Sequence, residues 1–312
     1  MSLSRPAAAG GLASGLQHAA GGGHPVVPQR HLARRRRWPW FALGALGLVA
    51  VLFFAFDARL STRQFNITSP KLNGTTRLVA ISDLHSCSYG KGQQSLLDAI
   101  AAVNPAGIVL TGDIYDDRLP RENTDITIEA LTASYPVYYV SGNHEFWSRD
   151  ADGFKASLEA HGVHVLEGTS EILNINNAEI TIAGIDDPET DRYPSRSIPY
   201  QQQLSALNTA SDDSRFTILL AHRPERISEY LPLRPDLVLS GHAHGGQWRI
   251  PFLLENGVFA PNQGMFPRYT NGIFHFDGSD LIVSRGLARE STRVPRIFNR
   301  PELIVITLEP QA

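Results

Sequence analysis

Cysteine is almost absent from this chain of 312 residues, in which Cys87 is the only one. A disulfide within the chain and a cysteine-based zinc module are therefore both excluded. Apolar residues make up 42% and charged residues 19% of the chain, a balance that excludes a wholly disordered protein. The length allows either one large domain or two ordinary ones.

Carboxylates and lysine are absent from residues 1–37, which contain six arginines, four of them consecutive. Everything after Arg37 consequently carries a formal net charge of about −9. Because nucleic-acid backbones are bound by basic surfaces, this acidic remainder predicts no nucleic-acid partner and suits the binding of cations. Residues 1–29 are rich in Gly, Ala and Pro, and we predict that residues 1–37 form a disordered basic tail.

No charged residue occurs between Trp38 and Phe56, a run of 19 residues that directly follows the four arginines. As a helix this run is about 28 Å long, close to the roughly 30 Å hydrocarbon core of a bilayer. Trp38 and Trp40 occupy the positions of interfacial aromatic residues. We predict a retained transmembrane anchor over residues 38–56. The positive-inside rule then places the tail in the cytoplasm and the rest of the chain outside it, as a single-pass protein of the cell membrane.

Three other interpretations of the apolar run stay open. A buried core helix rarely follows four arginines. A cleavable signal peptide normally has an apolar region of only about 7–15 residues and ends at a small-x-small site. This run instead ends at Phe56-Asp57-Ala58. The flanking residues fit a twin-arginine export signal only loosely.

Five short apolar runs are typical of strands that are buried on both faces. They lie at 77–82, 107–111, 136–140, 216–221 and 236–240. Helical patterns at 93–103, 124–133 and 152–161 separate several of them, which predicts an α/β domain with largely parallel strands. More strand-like runs follow at 171–175, 179–185, 272–276, 280–284 and 302–308. We expect two packed sheets with helices outside, in one domain over residues 75–312 that follows a linker at 57–74.

Side chains suited to metal binding follow each of the five buried strands. They are Asp83 and His85, Asp113 and Asp116, Asn143, His144 and Glu145, His222, and then His242 and His244. Ligands of α/β sheets bind outside the carboxyl ends of the strands, so we expect these side chains at one edge. Each motif alone is weak evidence, but five successive motifs at strand ends predict a metal site.

Carboxylate, amide and imidazole ligands without a thiolate suit divalent manganese, iron, zinc or cobalt. The set is larger than the four ligands of a closed zinc site and too rich in imidazole for calcium. It is also complete without Cys87. Two cations that share one carboxylate fit the set, and this arrangement is used for displacement at phosphorus. A hydroxide bridging the two metals would attack phosphorus, and a histidine would protonate the leaving alkoxide.

The series of motifs resembles the calcineurin-like metallophosphoesterases, with all five in the order typical of that family over residues 75–310. The runs ISDLHSCSYGKGQQSLLDAI and SRGLARESTRVPR are similar to its membrane-anchored bacterial phosphodiesterase branch. The resemblance implies an α/β fold, a four-layer αββα sandwich of two mixed β-sheets flanked by helices and preceded by one N-terminal transmembrane helix.

The resemblance also implies a role for each site residue. One of two divalent metal ions, manganese, iron or zinc, would be held by Asp83, His85, Asp113 and His244. The other would be held by Asp113, Asn143, His222 and His242. His144 would be the catalytic residue near the leaving group, although a purely orienting role stays open. Asp116 and Glu145 would support the ligands.

The substrate is the least determined part of the prediction. Residues 248–270 are apolar and loop-like, which favours a cover over the substrate, a contact with the bilayer or a plain hairpin that completes the second sheet. An external, anchored position favours a phosphodiester or phosphomonoester of a lipid head group or an envelope component. The alternatives are a phosphoprotein phosphatase, a UDP-sugar-lipid diphosphatase and an inactive metal-bearing envelope binding module.

Overall fold

A computed structural model of the chain describes residues 38–175, 178–193, 196, 198–210, 213–291 and 294–311. The predicted basic tail, residues 1–37, lies outside this part of the chain. The chain divides into two compact units, and the boundary lies between Leu46 and Gly47. All the strands described below belong to the second unit.

The uncharged run forms helix α1, Trp38–Ala55, and Ala55 is its one buried residue. This helix is long enough and apolar enough to cross a membrane, judged by its length and composition. Within the described residues it is the one helix of that kind.

Fourteen strands and six further α-helices are found in the described residues beyond α1. The strands are β1 Ser61–Ser69, β2 Thr76–Ile81, β3 Gly107–Thr111, β4 Val137–Val140, β5 His164–Val165, β6 Thr169–Ile175, β7 Ala178–Gly184, β8 Phe216–Leu220, β9 Leu237–Ser240, β10 Phe259–Ala260, β11 Gly264–Met265, β12 Gly272–Phe276, β13 Ser279–Val283 and β14 Glu302–Pro310. The helices are α2 Gln94–Val103, α3 Glu122–Thr132, α4 Asn143–Trp147, α5 Ala151–Ala160, α6 Tyr200–Ala210 and α7 Ile227–Tyr230.

Twelve of these strands form two mixed sheets of six. The first has the order β1-β14-β2-β3-β4-β5, with β2 to β5 parallel and β14 antiparallel to β2. The second has the order β12-β13-β9-β8-β7-β6, in which β13, β9, β8 and β7 are parallel. Strands β10 and β11 form a separate hairpin, so residues 248–270 do not complete the second sheet.

Side-chain alternation along the strands builds the four layers. In β2, Leu78 and Ala80 join the core between the sheets, whereas Val79 and Ile81 pack on the opposite face with helices α2, α3 and α5. In β8, Ile218 faces the inner core and Leu219 faces α6 and α7. Because both faces of each sheet are covered at its centre, the central strands β3, β4 and β9 are buried along their whole length, and the αββα expectation is confirmed.

Strand β1 lies inside the range 57–74, which the sequence predicted as a linker. Its apolar residues Phe65 and Ile67 point inward and alternate with exposed polar residues. This half-buried strand lacks the continuous apolar run that marks the other strands, and it is detected only through its pairing with β14. The first sheet therefore begins at Ser61.

Candidate active site

The loops that follow β2 and β3 lie side by side at the carboxyl edge of the first sheet. The backbone N–H groups of Asp83 and His85 donate to the carbonyl oxygens of Gly112 and Asp113, each at 3.0 Å. Asp83, His85 and Asp113 have positive φ angles of 50°, 48° and 53°. Such backbone conformations cost energy and cluster at functional sites, where the surrounding structure holds them in place.

Four overlapping groups of side chains at this edge have the composition of metal sites, two of which contain His144, and the other two correspond to the predicted pair of metal sites. The first is Asp83, His85 and His244, and the second is Asp113, His222 and His242. Within each group one candidate ligand atom per residue lies within 4.8 Å of the others. All six side chains are buried. The structure therefore brings the predicted residues of all five strand ends together, with Asn143 beside them at the start of α4.

Asp113 belongs to the second group and also approaches His85 of the first. Its Oδ2 atom is 3.6 Å from Nε2 of His85 and 3.1 Å from Nε2 of His222, while its Oδ1 atom accepts from the backbone N–H of His144 at 2.8 Å. Burial opposes a charged His222, but the carboxylates of Asp113, Asp83 and Asp187 together outweigh burial and raise the pKa of His222 to about 10. One carboxylate thus interacts with imidazoles of both groups.

Among the predicted metal ligands, two buried polar atoms lack a hydrogen-bond partner in the described residues, His85 Nε2 and Asn143 Oδ1. Leaving such atoms unsatisfied is costly, and native structures rarely do so. Each atom belongs to a different one of the two predicted metal sites. Carboxylate, amide and imidazole donors suit divalent cations, so the residues present fit a pair of such ions.

The histidines of the last strand-end motif are held in the neutral form that binds metals. Burial, together with the charges of His222 and Arg223, lowers the pKa of His242 to about 3. Nε2 of His242 lies 2.8 Å from Oδ1 of Asn262, to which it donates, so Nδ1 carries the lone pair and faces Nε2 of His222 at 3.3 Å. Burial also lowers the pKa of His244 well below its usual value.

His144 differs from these histidines because its side chain is 22% exposed. Its Nδ1 atom lies 2.7 Å from Oδ1 of Asp117, and its ring is 4.7 Å from the Trp147 ring and 4.4 Å from the His85 ring. The residue is therefore open to solvent on one side and held by a carboxylate on the other.

The two residues predicted as supports contact the candidate ligands or their loops. The Glu145 carboxylate accepts from the backbone N–H groups of Asp113, Ile114, Tyr115 and Gly142, at 2.7 to 3.1 Å. Burial and the nearby Asp113 charge raise the pKa of Glu145 to about 7. Oδ2 of Asp116 lies 3.0 Å from Nδ1 of His85, which orients that ring.

Gly112 makes room for His222. Its φ is +90°, and an added Cβ atom would lie 2.6 Å from Nδ1 of His222 and 2.7 Å from the backbone nitrogen of Gly142. No other residue fits this position without displacing one of the two neighbouring motifs.

Sequence reasoning did not select three residues that the structure adds to the site: Asp117, Asn262 and Arg296. Asp117 follows Asp116 directly, and only the fold shows that it contacts His144. Arg296 is buried, with Nη2 at 3.4 Å from Nδ1 of His244. Cys87 is fully buried and belongs to none of the metal-compatible groups within the described residues.

Comparison with known proteins finds one matching protein family and several individual relatives. Residues 76–246 match the calcineurin-like phosphoesterase family. The chain is 30% identical over 241 residues to the uncharacterized metallophosphoesterase YkuE of Bacillus subtilis, covering 75% of this chain and 79% of that protein. An uncharacterized metallophosphoesterase of Aquifex aeolicus is 30% identical over 278 residues, covering 84% of this chain and 98% of the relative.

A third relative carries a membrane description. The Danio rerio "Transmembrane protein with metallophosphoesterase domain" is 33% identical over 188 residues. The match covers 56% of this chain and 41% of that protein, so the chain spans less than half of this relative.

Proposed function

From the premise that this chain belongs to the calcineurin-like metallophosphoesterases, metal-dependent hydrolases of phosphoric esters, we propose which residues carry the reaction. One divalent cation is held by Asp83, His85, Asp113 and His244, and a second by Asp113, Asn143, His222 and His242. The ions are manganese, iron or zinc, which this donor set suits. When bound, they supply charge stabilisation for the phosphoryl oxygens and lower the pKa of the attacking water.

The observation that carries this proposal is that the Asp113 carboxylate approaches an imidazole of each group, His85 and His222. A carboxylate that reaches both groups is what a site for two close dications requires, because their mutual repulsion is large in a buried, low-dielectric environment. The unsatisfied atoms His85 Nε2 and Asn143 Oδ1 support the same assignment, one for each ion.

His144 protonates the leaving oxygen in this proposal. Its Nδ1–H donates to Asp117, which leaves Nε2 as the atom that gives a proton to the substrate. Its backbone N–H donates to Oδ1 of Asp113, so the residue is attached to the proposed metal ligands while its side chain stays partly exposed to solvent. An acid here must be both positioned and accessible, and His144 meets both conditions.

The substrate that we propose is a phosphoester of a lipid head group or of another envelope component. Helix α1 and the membrane description of the Danio rerio relative support a position at a membrane. The arginines before α1 favour an orientation with the catalytic domain outside the cytoplasm.

The test uses the full chain in detergent micelles with an aryl phosphomonoester, an aryl phosphodiester, phospholipids and a phosphopeptide. Each substrate is assayed with manganese, iron or zinc, and Asp113→Asn is the inactive control. We expect metal-dependent hydrolysis of phospholipid or diester. Turnover of the phosphopeptide alone would identify a phosphoprotein phosphatase instead. Two bound metals without turnover of any substrate would identify a binding module and contradict the proposal.

A further inference from the structure

The turn at residues 250–253, which we call the apolar turn, is the most exposed apolar feature of the second unit. Phe252 is 94% exposed and Leu253 is 83% exposed, beside Ile250 at 49%. The turn is well formed, since the N–H of Leu253 donates to the carbonyl oxygen of Ile250 at 3.1 Å and that of Leu254 does so at 2.8 Å. These side chains are therefore held out by structured backbone.

The backbone at Phe252 has the conformation that glycine favours. Pro251 occupies the second position of the turn and Phe252 the third, where φ is +68°. This pattern fits a type II turn, whose third position normally requires glycine or asparagine. A bulky aromatic residue there is strained and gains no burial within the described residues. Within the fold, Phe252 has an unfavourable backbone conformation, and burial of its ring does not compensate for it. This points to a contact of the ring with something outside the protein.

The apolar turn is adjacent to the end of helix α1. The backbone N–H of Phe298 donates to the carbonyl oxygen of Ala55 at 2.7 Å. Phe298 also lines a surface cavity together with Ile250, Pro251 and Phe252. The backbone N–H of Arg249 donates to the carbonyl oxygen of Ile297 at 2.9 Å. One short segment, residues 297–298, therefore contacts both the end of α1 and the apolar turn.

Sheet topology places this region at the edge that carries the candidate active site. Because β14 is antiparallel to β2, Glu302 at its start lies near the end of β2, where Asp83 follows. Strand β1 is parallel to β14 and starts beside it, with Ser61 paired to Glu302. The chain thus leaves α1 at the same edge of the sheet that holds the proposed metal ligands.

We propose that the apolar turn inserts into the head-group region of the bilayer that α1 crosses. The free energy falls when exposed apolar side chains leave water and enter that region. A bilayer is the occupant that the structure favours, because the segment that supports the turn also contacts the end of the candidate membrane helix. Met265 and Phe266, 60% and 69% exposed at the end of the β10–β11 hairpin, extend the apolar surface of residues 248–270.

This inference rests on the proposed membrane anchoring, and it adds an orientation to it. A helix followed by a short connection leaves a domain free to tilt, whereas a second contact beside the exit restricts that motion. The edge with Asp83, Asp113 and His144 is then held close to the lipid head groups. A phosphoester at the membrane surface reaches the site without leaving the bilayer.

The experiment places an environment-sensitive nitrobenzoxadiazole probe on Phe252→Cys in the full chain. The protein is reconstituted into phosphatidylethanolamine–phosphatidylglycerol vesicles that contain lipids spin-labelled near the head group. The matched control is Gln311→Cys, an exposed position just after β14, about 30 Å from its start. The unmodified chain, whose Cys87 is buried, controls for labelling.

We expect the probe at residue 252 to shift to shorter wavelength and to be quenched by the spin labels, and the probe at residue 311 to show neither effect. An unquenched probe at residue 252 overturns the proposal, whether or not the protein is anchored. Alkaline carbonate washing of the same vesicles reports anchoring separately. Protein that resists washing while residue 252 stays unquenched would disprove the docking of the turn and leave the anchor intact.

A second variant separates docking from folding. Phe252→Gly removes the aromatic ring and places the residue that favours positive φ at this position, so its melting temperature should be equal or higher. With the probe moved to Leu253→Cys, we expect Phe252→Gly to reduce quenching. Ile172→Thr, an exposed apolar residue on edge strand β6, should leave quenching unchanged. Equal quenching with and without Phe252 would contradict a role for this side chain in docking.

Discussion

Nδ1 of His144 lies 2.7 Å from Oδ1 of Asp117 and 3.7 Å from Oδ2 of Asp116. Asp117 therefore provides a hydrogen-bond partner for Nδ1 of His144, which in our proposal leaves Nε2 to face the substrate. Asp116 instead bonds to His85, so two consecutive carboxylates orient two different histidines. In our proposal the His144–Asp117 contact positions the His144 ring for proton transfer to the leaving group.

Asp117→Asn should slow hydrolysis of substrates with alkoxide leaving groups by about 10–100-fold, because the imidazolium form of His144 loses its stabilising charge. Metal content and KM should change little, since Asp117 belongs to neither proposed metal site. Steady-state kinetics and elemental analysis of the same preparation measure both effects. Asp98→Asn on the exposed face of α2 is the control. A rise in KM without a fall in kcat would show that Asp117 only shapes the binding site.

His144→Ala should slow substrates with alkoxide leaving groups by about 10²–10⁴-fold, the usual contribution of general acid catalysis. A nitrophenolate leaving group needs no proton and should escape most of this loss. The two substrate classes are compared at full metal occupancy, since partial loss of metal would reduce both rates. Equal slowing of the two classes would refute the acid role and leave His144 as a positioning residue.

Asp113→Asn should remove metal and reduce activity by about 10²-fold or more, because the negative charge between two dications is lost. The fold should persist, since the apolar side chains of the strands, which form the hydrophobic core, are unchanged. Elemental analysis, activity and circular dichroism of the variant test these statements together. If the variant binds two metals per chain with unchanged affinity, Asp113 does not bridge the two ions.

Asn262→Ala should weaken metal binding by about 10–100-fold, because His242 loses the acceptor that keeps Nδ1 free of a proton. Asn262→Asp retains an acceptor oxygen and should keep most of the affinity, which makes it the matched control. Competition with a metal indicator gives both affinities in the absence of substrate. If Asn262→Ala binds metal as tightly as the native chain, the Asn262 contact does not orient His242.

The native protein should sediment with membranes, resist alkaline carbonate and retain its N-terminal arginines. The physical reason is the length and apolarity of α1, together with the absence of a small-x-small site after it. Fractionation and mass spectrometry of the mature N-terminus provide the measurement. A mature chain that begins near residue 59 would identify the segment as an export signal.

Much of the site is predictable from sequence because buried parallel strands are recognisable as short apolar runs. Asp83, Asp113 and His222 each follow such a run, and a parallel sheet brings strand ends to one edge. Strand β1 is not recognised in the same way, because its apolar residues alternate with polar ones and the segment resembles a polar linker. The first sheet therefore includes a strand within residues 57–74, the range that the sequence predicted as a linker.

The sequence by itself determined the layered α/β class, the apolar helix and the residue types gathered at the strand ends. Local periodicity and strand-end position carry this information. Only the tertiary structure decided that Asp117 contacts His144, that Asn262 orients His242, and that the apolar turn lies beside the end of α1. These relationships depend on sheet register and on loops that meet across long stretches of chain. The pairing of β14 with both β2 and β1 is the clearest case, because together these contacts bring the exit of the helix to the edge of the active site.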